Sequence, residues 1–480
     1  DYEAIAELEQ FHYASEKEVV ALWVCTQCQK TIPANAKPLC DCGGEARLKE
    51  IRGSTPASRF LVLELAERLP FEPRILGYLR LDPPIPRMHR RTPEGVERDI
   101  RERIFPRDWF HPTYEGGADW QKALDRVNTA AARIARVVVH PDYRSEGFGA
   151  LLVRVALEWA KERGAPEARR EKHLVYTIAQ MARYHPFFEK VGFRYLFDTA
   201  SGRPVLFYPL TEEAEAHLER FLREDPYAKA HGGRLYKPRF GRVPGLPGPI
   251  RLAGVHKAYR SHLDLEGLSR EVQEALLAFG VKARVVERAV LRGASLEIPP
   301  GSLVVLAGAS GAGKTTLLRL LLGEAPDAGE VAVPPGRRVA YIPGEREVDL
   351  GEAPILEAVY RRLKDVGAAI EVLNRVGLSD AVLYRARPHE LSTGQRERFR
   401  LALLLAERPD LLLIDEFAAH LDVPTARRVA LGLGKLCREA GVTLVAATHR
   451  PEVVAALDPD LLVYVGYGGL TTVPRRGPRT

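Results

Sequence analysis

Gly308-Ala309-Ser310-Gly311-Ala312-Gly313-Lys314-Thr315, with Thr316 directly after it, is the stretch that decides the fold of the C-terminal half. It follows the apolar run Leu303-Val304-Val305-Leu306 and leads into Leu317-Leu318-Arg319-Leu320, so a buried strand, a glycine turn and a helix start succeed one another. Glycines let consecutive backbone N–H groups converge at a helix N-terminus, where partial positive charge suits a phosphate. Lys314 adds a point charge and the Thr315 hydroxyl is placed to ligate Mg²⁺. Gly308, Ser310, Gly311, Gly313, Lys314, Thr315 and Thr316 are the expected nucleotide-phosphate site. Working outward, strands are expected at 303–307, 339–342, 411–414 and 443–446, with helices after Lys314, Ser392 and Pro424. Their alternation predicts a mostly parallel α/β core.

Downstream, Leu391-Ser392-Thr393-Gly394-Gln395 precedes Leu411-Leu412-Leu413-Ile414-Asp415-Glu416, then Leu421-Asp422, and finally His449 after a further apolar strand. In order and spacing this half resembles the ABC ATPase family. The resemblance implies ATP as substrate, Asp415 holding Mg²⁺ and Glu416 orienting the attacking water. It also implies His449 at the γ-phosphate, and Ser392, Gly394 and Gln395 reaching ATP seated in another subunit, hence a homodimer through this domain. Two departures stand out: Gly344-Glu345 replaces the family's glutamine after the strand at 339–342, and no aromatic residue precedes Lys314 where the family stacks adenine. Arg284 or Arg288 is the available substitute. With no transmembrane helices and no insert long enough for paired coiled coils between the motifs, the resemblance is to the family's soluble branch, whose members mostly work on DNA repair or the ribosome.

At 480 residues, 46% hydrophobic and 28% charged, the chain has the length and balance for two to four globular domains. No apolar window is long enough to span a membrane and no repeat or collagen-like period is present, so membrane, solenoid and fibrous classes fall away and a cytoplasmic protein is expected. The net charge of +7 is unevenly placed: residues 226–260 carry eight Lys/Arg and no acid. Clustered cations neutralise phosphate better than scattered ones, so this segment is the expected contact for nucleic acid, DNA or RNA. Tyr227, Tyr236, Phe240 and Tyr259, interleaved with the cations, are its candidate base-stacking side chains.

In the N-terminal half, strands are expected at 60–65, 75–81 and 134–139, helices at 4–11 and 150–163, and a substrate-facing loop or short helix at 83–119. The apolar run through Val137 and Val139 ends at His140-Pro141-Asp142-Tyr143-Arg144-Ser145-Glu146-Gly147-Phe148-Gly149, a glycine turn opening a helix and a suitable cradle for a diphosphate. Together with Tyr184-His185-Pro186-Phe187-Phe188-Glu189-Lys190-Val191-Gly192-Phe193 it resembles the GNAT superfamily of N-acetyltransferases. The resemblance implies acetyl-CoA, or a related acyl-CoA, along Val137 and Val139 with its diphosphate over Arg144, Gly147, Phe148 and Gly149. Where many relatives carry a Tyr that protonates the departing thiolate, this chain has Phe188. Tyr184, His185 and, at the strand end, His140 are the candidate acid and base. His12-Tyr13 and Pro56 resemble the Mom branch of the fold, which modifies adenine in phage DNA.

Cys25-x-x-Cys28 and Cys40-x-Cys42-Gly43-Gly44 place four thiolates on two tight turns, the donor set of a structural Zn²⁺ site that leaves no open coordination position. Cys437 stands alone in a helix and is expected in the core. The expected organisation is α/β throughout: a GNAT-like mixed-sheet domain over 1–212 with a zinc-ribbon insert at 24–44, a helix and basic Pro/Gly-rich linker or arm over 213–260, and an ABC ATPase domain over 261–480. Three functions fit: an ATPase presenting a nucleic-acid base to a fused acyltransferase, a protein or small-amine acetyltransferase regulated by the ATPase, and a nucleic-acid-binding ATPase whose second domain senses CoA without turnover.

Overall fold

A computed structural model describes residues 5, 8, 21–34, 37–51, 54, 57–68, 70, 72–111, 128–140, 143, 147–282, 284–344, 349–466 and 468–474. The chain divides into two compact units, Asp1–Lys237 and Pro238–Thr480.

The first unit opens with a small antiparallel sheet of β1 (Ala21–Cys25), β2 (Thr31–Pro33) and β3 (Ala46–Ile51), in the order β2-β1-β3. Its main sheet uses β4 (Arg59–Glu64), β5 (Ile75–Asp82), β8 (Ala131–Val139), β9 (Leu174–Ile178), β10 (Arg194–Asp198) and β11 (Pro204–Pro209), in the order β10-β11-β9-β8-β5-β4. Only β8 and β9 are parallel, and they pair over Ala131–Ile134 against Leu174–Thr177 alone. The antiparallel ladder of β8 with β5 runs on to Val139, with a register shift that leaves Ala135 as an extra residue. A bulge of this kind bends its strand, so β8 and β9 part after Ile134 into a notch. The amphipathic helix Phe148–Arg163 buries Leu152, Val153, Ala156, Leu157 and Ala160 against one face of this sheet.

The expected loop over 83–119 is structured where it is described. A hairpin of β6 (Arg90–Thr92) and β7 (Gly95–Glu97), the helix Arg101–Ile104 and the single turn Arg107–Trp109 bury Ile104, Phe105, Trp109 and Phe110 on the other face of the sheet. Aromatic stacking in short turns, Phe105 on Trp109 at 5.7 Å for example, leaves no strand or helix period in the sequence. The helix expected at 4–11 is described only at Ile5 and Leu8, which share a core with Ile51, Tyr78 and Val138. His12, Tyr13 and Pro56 lie outside the described residues.

In the second unit β14 (Leu303–Ala307), β16 (Val339–Ile342), β17 (Leu411–Ile414), β18 (Thr443–Ala447), β19 (Leu461–Gly466) and β20 (Gly469–Pro474) form one sheet, ordered β16-β17-β18-β14-β19-β20. All its pairs are parallel except β19 with β20. Burial on both faces explains why β14, β17 and β18 are continuous apolar runs instead of alternating ones. A second sheet, β13-β12-β15, joins β12 (Ile250–Leu263), β13 (Arg284–Ile298) and β15 (Ala328–Ala332). The helix Arg270–Ala278, between β12 and β13, buries none of its residues.

The basic segment is not a free arm. After the helices Glu212–Glu224 and Pro226–His231, residues 238–249 run without regular structure across the second unit, yet Phe240 is only 1% exposed. Glu371 Oε2 accepts the N–H groups of Arg239 (2.6 Å) and Phe240 (3.1 Å), and Asp410 Oδ1 accepts that of Gly245 (3.0 Å). Arg408 donates to the carbonyls of Phe240 and Arg242, with its guanidinium 5.1 Å from the Phe240 ring centre. The boundary expected at 260/261 falls inside β12.

Candidate functional sites

In the second unit the glycine turn lies between β14, buried from Leu303 to Leu306, and the helix Lys314–Leu321. Gly308 and Gly313 take φ of +150° and +110°, and a Cβ on either would strike Val465 O at 2.2 Å or Val290 Cγ1 at 2.5 Å. Positive φ and close approach together require glycine here. Lys314 Nζ donates to the carbonyls of Gly308 (2.9 Å) and Ala309 (2.8 Å), on the inner side of the turn. Thr315 Oγ1 donates to Asp415 Oδ2 at 2.7 Å, which brings together two expected Mg²⁺ ligands a hundred residues apart in sequence. Thr316 is buried in the helix, whereas Ser310 and Gly311 are exposed.

Glu416 follows β17 with φ +49°, and its N–H donates to Asp415 Oδ1 at 3.1 Å. Its side chain fills the place a residue larger than glycine at 344 would need, since a Cβ there would lie 3.1 Å from Glu416 Cδ. The departure at Gly344 is thereby explained by packing, while Glu345 lies outside the described residues. His449 is exposed at the end of β18, between Thr448 and Arg450. Sequence reasoning missed Arg450, whose Nη1 donates to the carbonyls of Ala418 (2.6 Å) and Leu421 (2.5 Å) and so pins the turn after Glu416. It also missed Glu397, whose carboxyl is pushed up by burial beside a cavity of about 20 Å³ lined by Asp415, Ile414 and Leu421.

Ser392 and Gln395 form a reciprocal cap on the helix Thr393–Ala406: Ser392 Oγ accepts from Gln395 N (3.3 Å) and Gln395 Oε1 from Ser392 N (2.9 Å). Gly394 lets Leu421 approach, its absent Cβ lying 3.1 Å from Leu421 Cδ2. Among the described residues, no hydrogen bond joins these three to the glycine turn. Arg288 Nη2 donates to Gly311 O at 2.7 Å, so one of the two expected substitutes for an aromatic residue lies on the turn; the side chain of Arg284 is outside the described residues.

In the first unit Val137 and Val139 lie on the part of β8 beyond its last pair with β9, and both pack toward the helix Phe148–Arg163. Gly147, at φ +88°, precedes that helix, and Phe148 is half-buried in its first turn. A Cβ on Gly149 would lie 3.1 Å from Phe187 Cε2 and 3.9 Å from Val139 Cγ2, so the turn, β8 and the helix Phe187–Val191 converge there. Arg144 is outside the described residues. His140 directly follows β8, with its N–H on Leu76 O at 2.7 Å, and its ring lies edge-on to Tyr143 at 5.9 Å. Tyr184 and His185 are half-buried ahead of Phe187, while Phe188 is buried among Phe187 and Phe193.

The sulfur atoms of Cys25, Cys28, Cys40 and Cys42 all lie within 4.8 Å of one another. Gly44 makes room for them, since a Cβ there would stand 2.7 Å from Cys25 Sγ. The N–H of Cys28 points at Cys25 Sγ and holds that thiol down at about 6. Four converging sulfurs without a further donor are compatible with a tetrahedral Zn²⁺. Cys437 is fully buried in the helix Val423–Ala440.

Comparisons with known proteins divide the chain in the same way. A family model described as "ABC transporter" matches residues 291–419, and one described as "Acetyltransferase (GNAT) domain" matches residues 115–195. The zinc import ATP-binding protein ZnuC of Ruegeria pomeroyi is 34% identical over 198 residues, 40% of this chain and 75% of that protein. The lipoprotein-releasing system ATP-binding protein LolD 1 of Rhodospirillum rubrum is 35% identical over 193 residues, 35% of this chain and 84% of that protein. The methionine import ATP-binding protein MetN of Mesorhizobium japonicum is 34% identical over 209 residues, 38% of this chain and 56% of that protein's length. No described helix is long and apolar enough to cross a membrane.

Proposed function

Because this chain belongs to the ABC family of ATP-binding proteins through its C-terminal half, and carries a GNAT acetyltransferase domain ahead of it, we propose that it hydrolyses ATP as a homodimer and uses acyl-CoA to acylate an amino group of a nucleic-acid base. The parting of β8 and β9 carries the transfer half of this reading, since β8 runs on to Val139 past its last ladder pair with β9 at Ile134, and the amides of an extended thioester arm would lie alongside that stretch. Gly147, Phe148 and Gly149 with Arg144 would hold the diphosphate. On the ATPase side, the glycine turn and Lys314 would hold the phosphates of ATP, and Thr315 with Asp415 the Mg²⁺ that neutralises them. Glu416 orients the attacking water and His449 contacts the γ-phosphate. Ser392, Gly394 and Gln395 serve the partner's nucleotide, a role consistent with their separation from the glycine turn of their own chain.

Four cysteine ligands would bind one Zn²⁺ per chain. Replacing Cys25 and Cys28 with Ser is expected to remove it and make residues 21–51 protease-sensitive, because metal binding and local folding are coupled. Ile51 ends β3 in the core it shares with Tyr78 and Val138, so CoA binding should weaken too while ATPase activity persists. Native protein without zinc by metal analysis would rule the site out.

The cations of 226–260 divide in two. Arg251, Lys257 and Arg260 pair with Glu297, Glu324 and Glu287 within 3.1 Å, and Arg239 lies 3.8 Å from Asp365. Phe240 is buried, Tyr259 donates to Glu324 and Tyr227 bonds Tyr195, so these aromatics do not support base stacking. Lys229, Arg234, Lys237 and Arg242 are exposed with no carboxylate in ion-pair range among the described residues, and they are the cations that support the nucleic-acid reading. Neutralising all four should lower the dependence of log affinity on log salt by about one unit per charge removed. Labelled acetyl-CoA should then leave label on nucleosides, read by mass spectrometry, and label found only on protein would refute a base acceptor. Burial of Phe188 in the core favours one rival, CoA sensing without turnover, which predicts CoA binding and no transferred label.

A further inference from the structure

Beside the notch between β8 and β9, the charged side chains of β5 and β8 lie on one face of the sheet. Along β5, Leu79 and Leu81 pack beneath the helix Phe148–Arg163, so the alternating Arg80 and Asp82 lie on the opposite face. In the ladder Arg136 stands opposite Arg80 and Arg133 opposite Asp82. Tyr176 is the partner of Arg133 on β9, one rung before Ile134 and Thr177, where the strands part. Arg101 adds a fourth guanidinium on this face, 4.1 Å from the ring centre of Phe110 and 5.3 Å from that of Tyr176.

Carboxylates are fewer there. Asp82 accepts from Arg133 Nη2 (2.7 Å) and Ser58 Oγ (2.8 Å) and lies 3.1 Å from Arg80 Nε; Asp99 is within electrostatic range of Arg101. Although Arg101 is only 2% exposed, its Nε and Nη1 have no hydrogen-bond partner among the described residues, and neither has Nε of Arg133. Buried donors without acceptors are unfavourable, and each calls for an acceptor that would satisfy it. Arg133 keeps 24% of its side chain exposed, so a ligand reaches it before the buried Arg80 and Arg101.

We propose that this arginine-lined face receives a phosphate group of the acceptor, with Arg133 in front and Arg101 behind it, and that the acylated nitrogen is an uncharged amine, as on a nucleotide. The proposal rests on the acyl-CoA reading above: CoA held at Gly147–Gly149 occupies the helix side of the sheet, which leaves the opposite face for the second substrate. Planar guanidinium donors match phosphate oxygens. The same excess of positive charge repels an ammonium, which disfavours a protein lysine or a polyamine. In the transfer, the amine nitrogen bonds to the thioester carbonyl carbon, the carbon–sulfur bond breaks, and the proton lost by nitrogen ends on sulfur, giving an amide and CoA thiol.

The test uses the full chain carrying Lys314→Ala, so that nucleotides do not enter the ATP site, with CoA bound. Calorimetry compares the four nucleoside 5′-monophosphates with their nucleosides. The expected result is at least about tenfold tighter binding of the monophosphates; this preference should vanish in Arg133→Gln and partly return in Arg133→Lys, with CoA affinity unchanged and the native circular dichroism spectrum retained. Equal binding of nucleoside and monophosphate, a preference that survives Arg133→Gln, or faster acylation of spermidine or a lysine peptide than of nucleic acid each overturns the assignment. Failure of the parent chain to bind CoA fells the transferase reading itself, whereas CoA binding without a phosphate preference fells this assignment alone.

Discussion

Glu416→Gln is expected to keep ATP bound while hydrolysis falls by about 100-fold or more, the scale on which a positioned general base contributes. The amide retains the size of the carboxylate and can occupy the same place against Gly344, so the turn after β17 and its bond to Asp415 should persist. Only the acceptor for the water's proton is lost. With ATP retained and unspent, the homodimer should be trapped closed, visible as a doubling of mass in light scattering with ATP and its absence with ADP. Wild-type turnover, or a monomer in ATP, would contradict the assignment of Glu416 and of the two-chain site.

Gly149→Leu should cost more than about tenfold in CoA affinity and leave ATPase activity intact. Its first added carbon already meets Phe187 at 3.1 Å, so the remaining carbons must either push the helix Phe187–Val191 away or fill the turn between β8 and the helix Phe148–Arg163. Either outcome moves the N–H groups that would face the diphosphate. Calorimetry with CoA reads the loss directly, and circular dichroism at matched concentration checks that the unit remains folded. Unchanged CoA affinity would place the diphosphate elsewhere.

The glycine turn at 308–313, the strands around it and the cysteine quartet were legible in the sequence because each depends on contiguous residues: an apolar run, a turn that tolerates only glycine, ligands on tight turns. What escaped is held by distant partners. Phe240 is buried because Glu371 and Arg408, more than a hundred residues away, satisfy the backbone on either side of it, and a Pro/Gly-rich composition reads as a linker whether or not such partners exist. The parting of β8 and β9 depends on an unpaired residue, Ala135, that has no signature of its own. Arg101 and Arg133 became a pair only through Tyr176 and Asp82 on separate strands. Arg450 escaped for the opposite reason: it adjoins a residue singled out by motif, yet its bonds go back to the turn at Ala418 and Leu421.

The course of residues 238–249 decides where the protein can be cut. A fragment starting at 261, the limit that composition suggests, would begin near the end of β12 and lose Leu246, Ile250, Leu252 and Val255, all members of the apolar cluster that also packs Leu317 and Leu320 under the nucleotide site. It would empty the seat of Phe240 as well, leaving the carboxylate of Glu371 buried without the N–H groups of Arg239 and Phe240. Aggregation of such a fragment would be an artefact of the cut and would say nothing about whether the ATPase depends on its fused neighbour. Dissection of the two activities therefore has to start at Pro238, where the second unit begins.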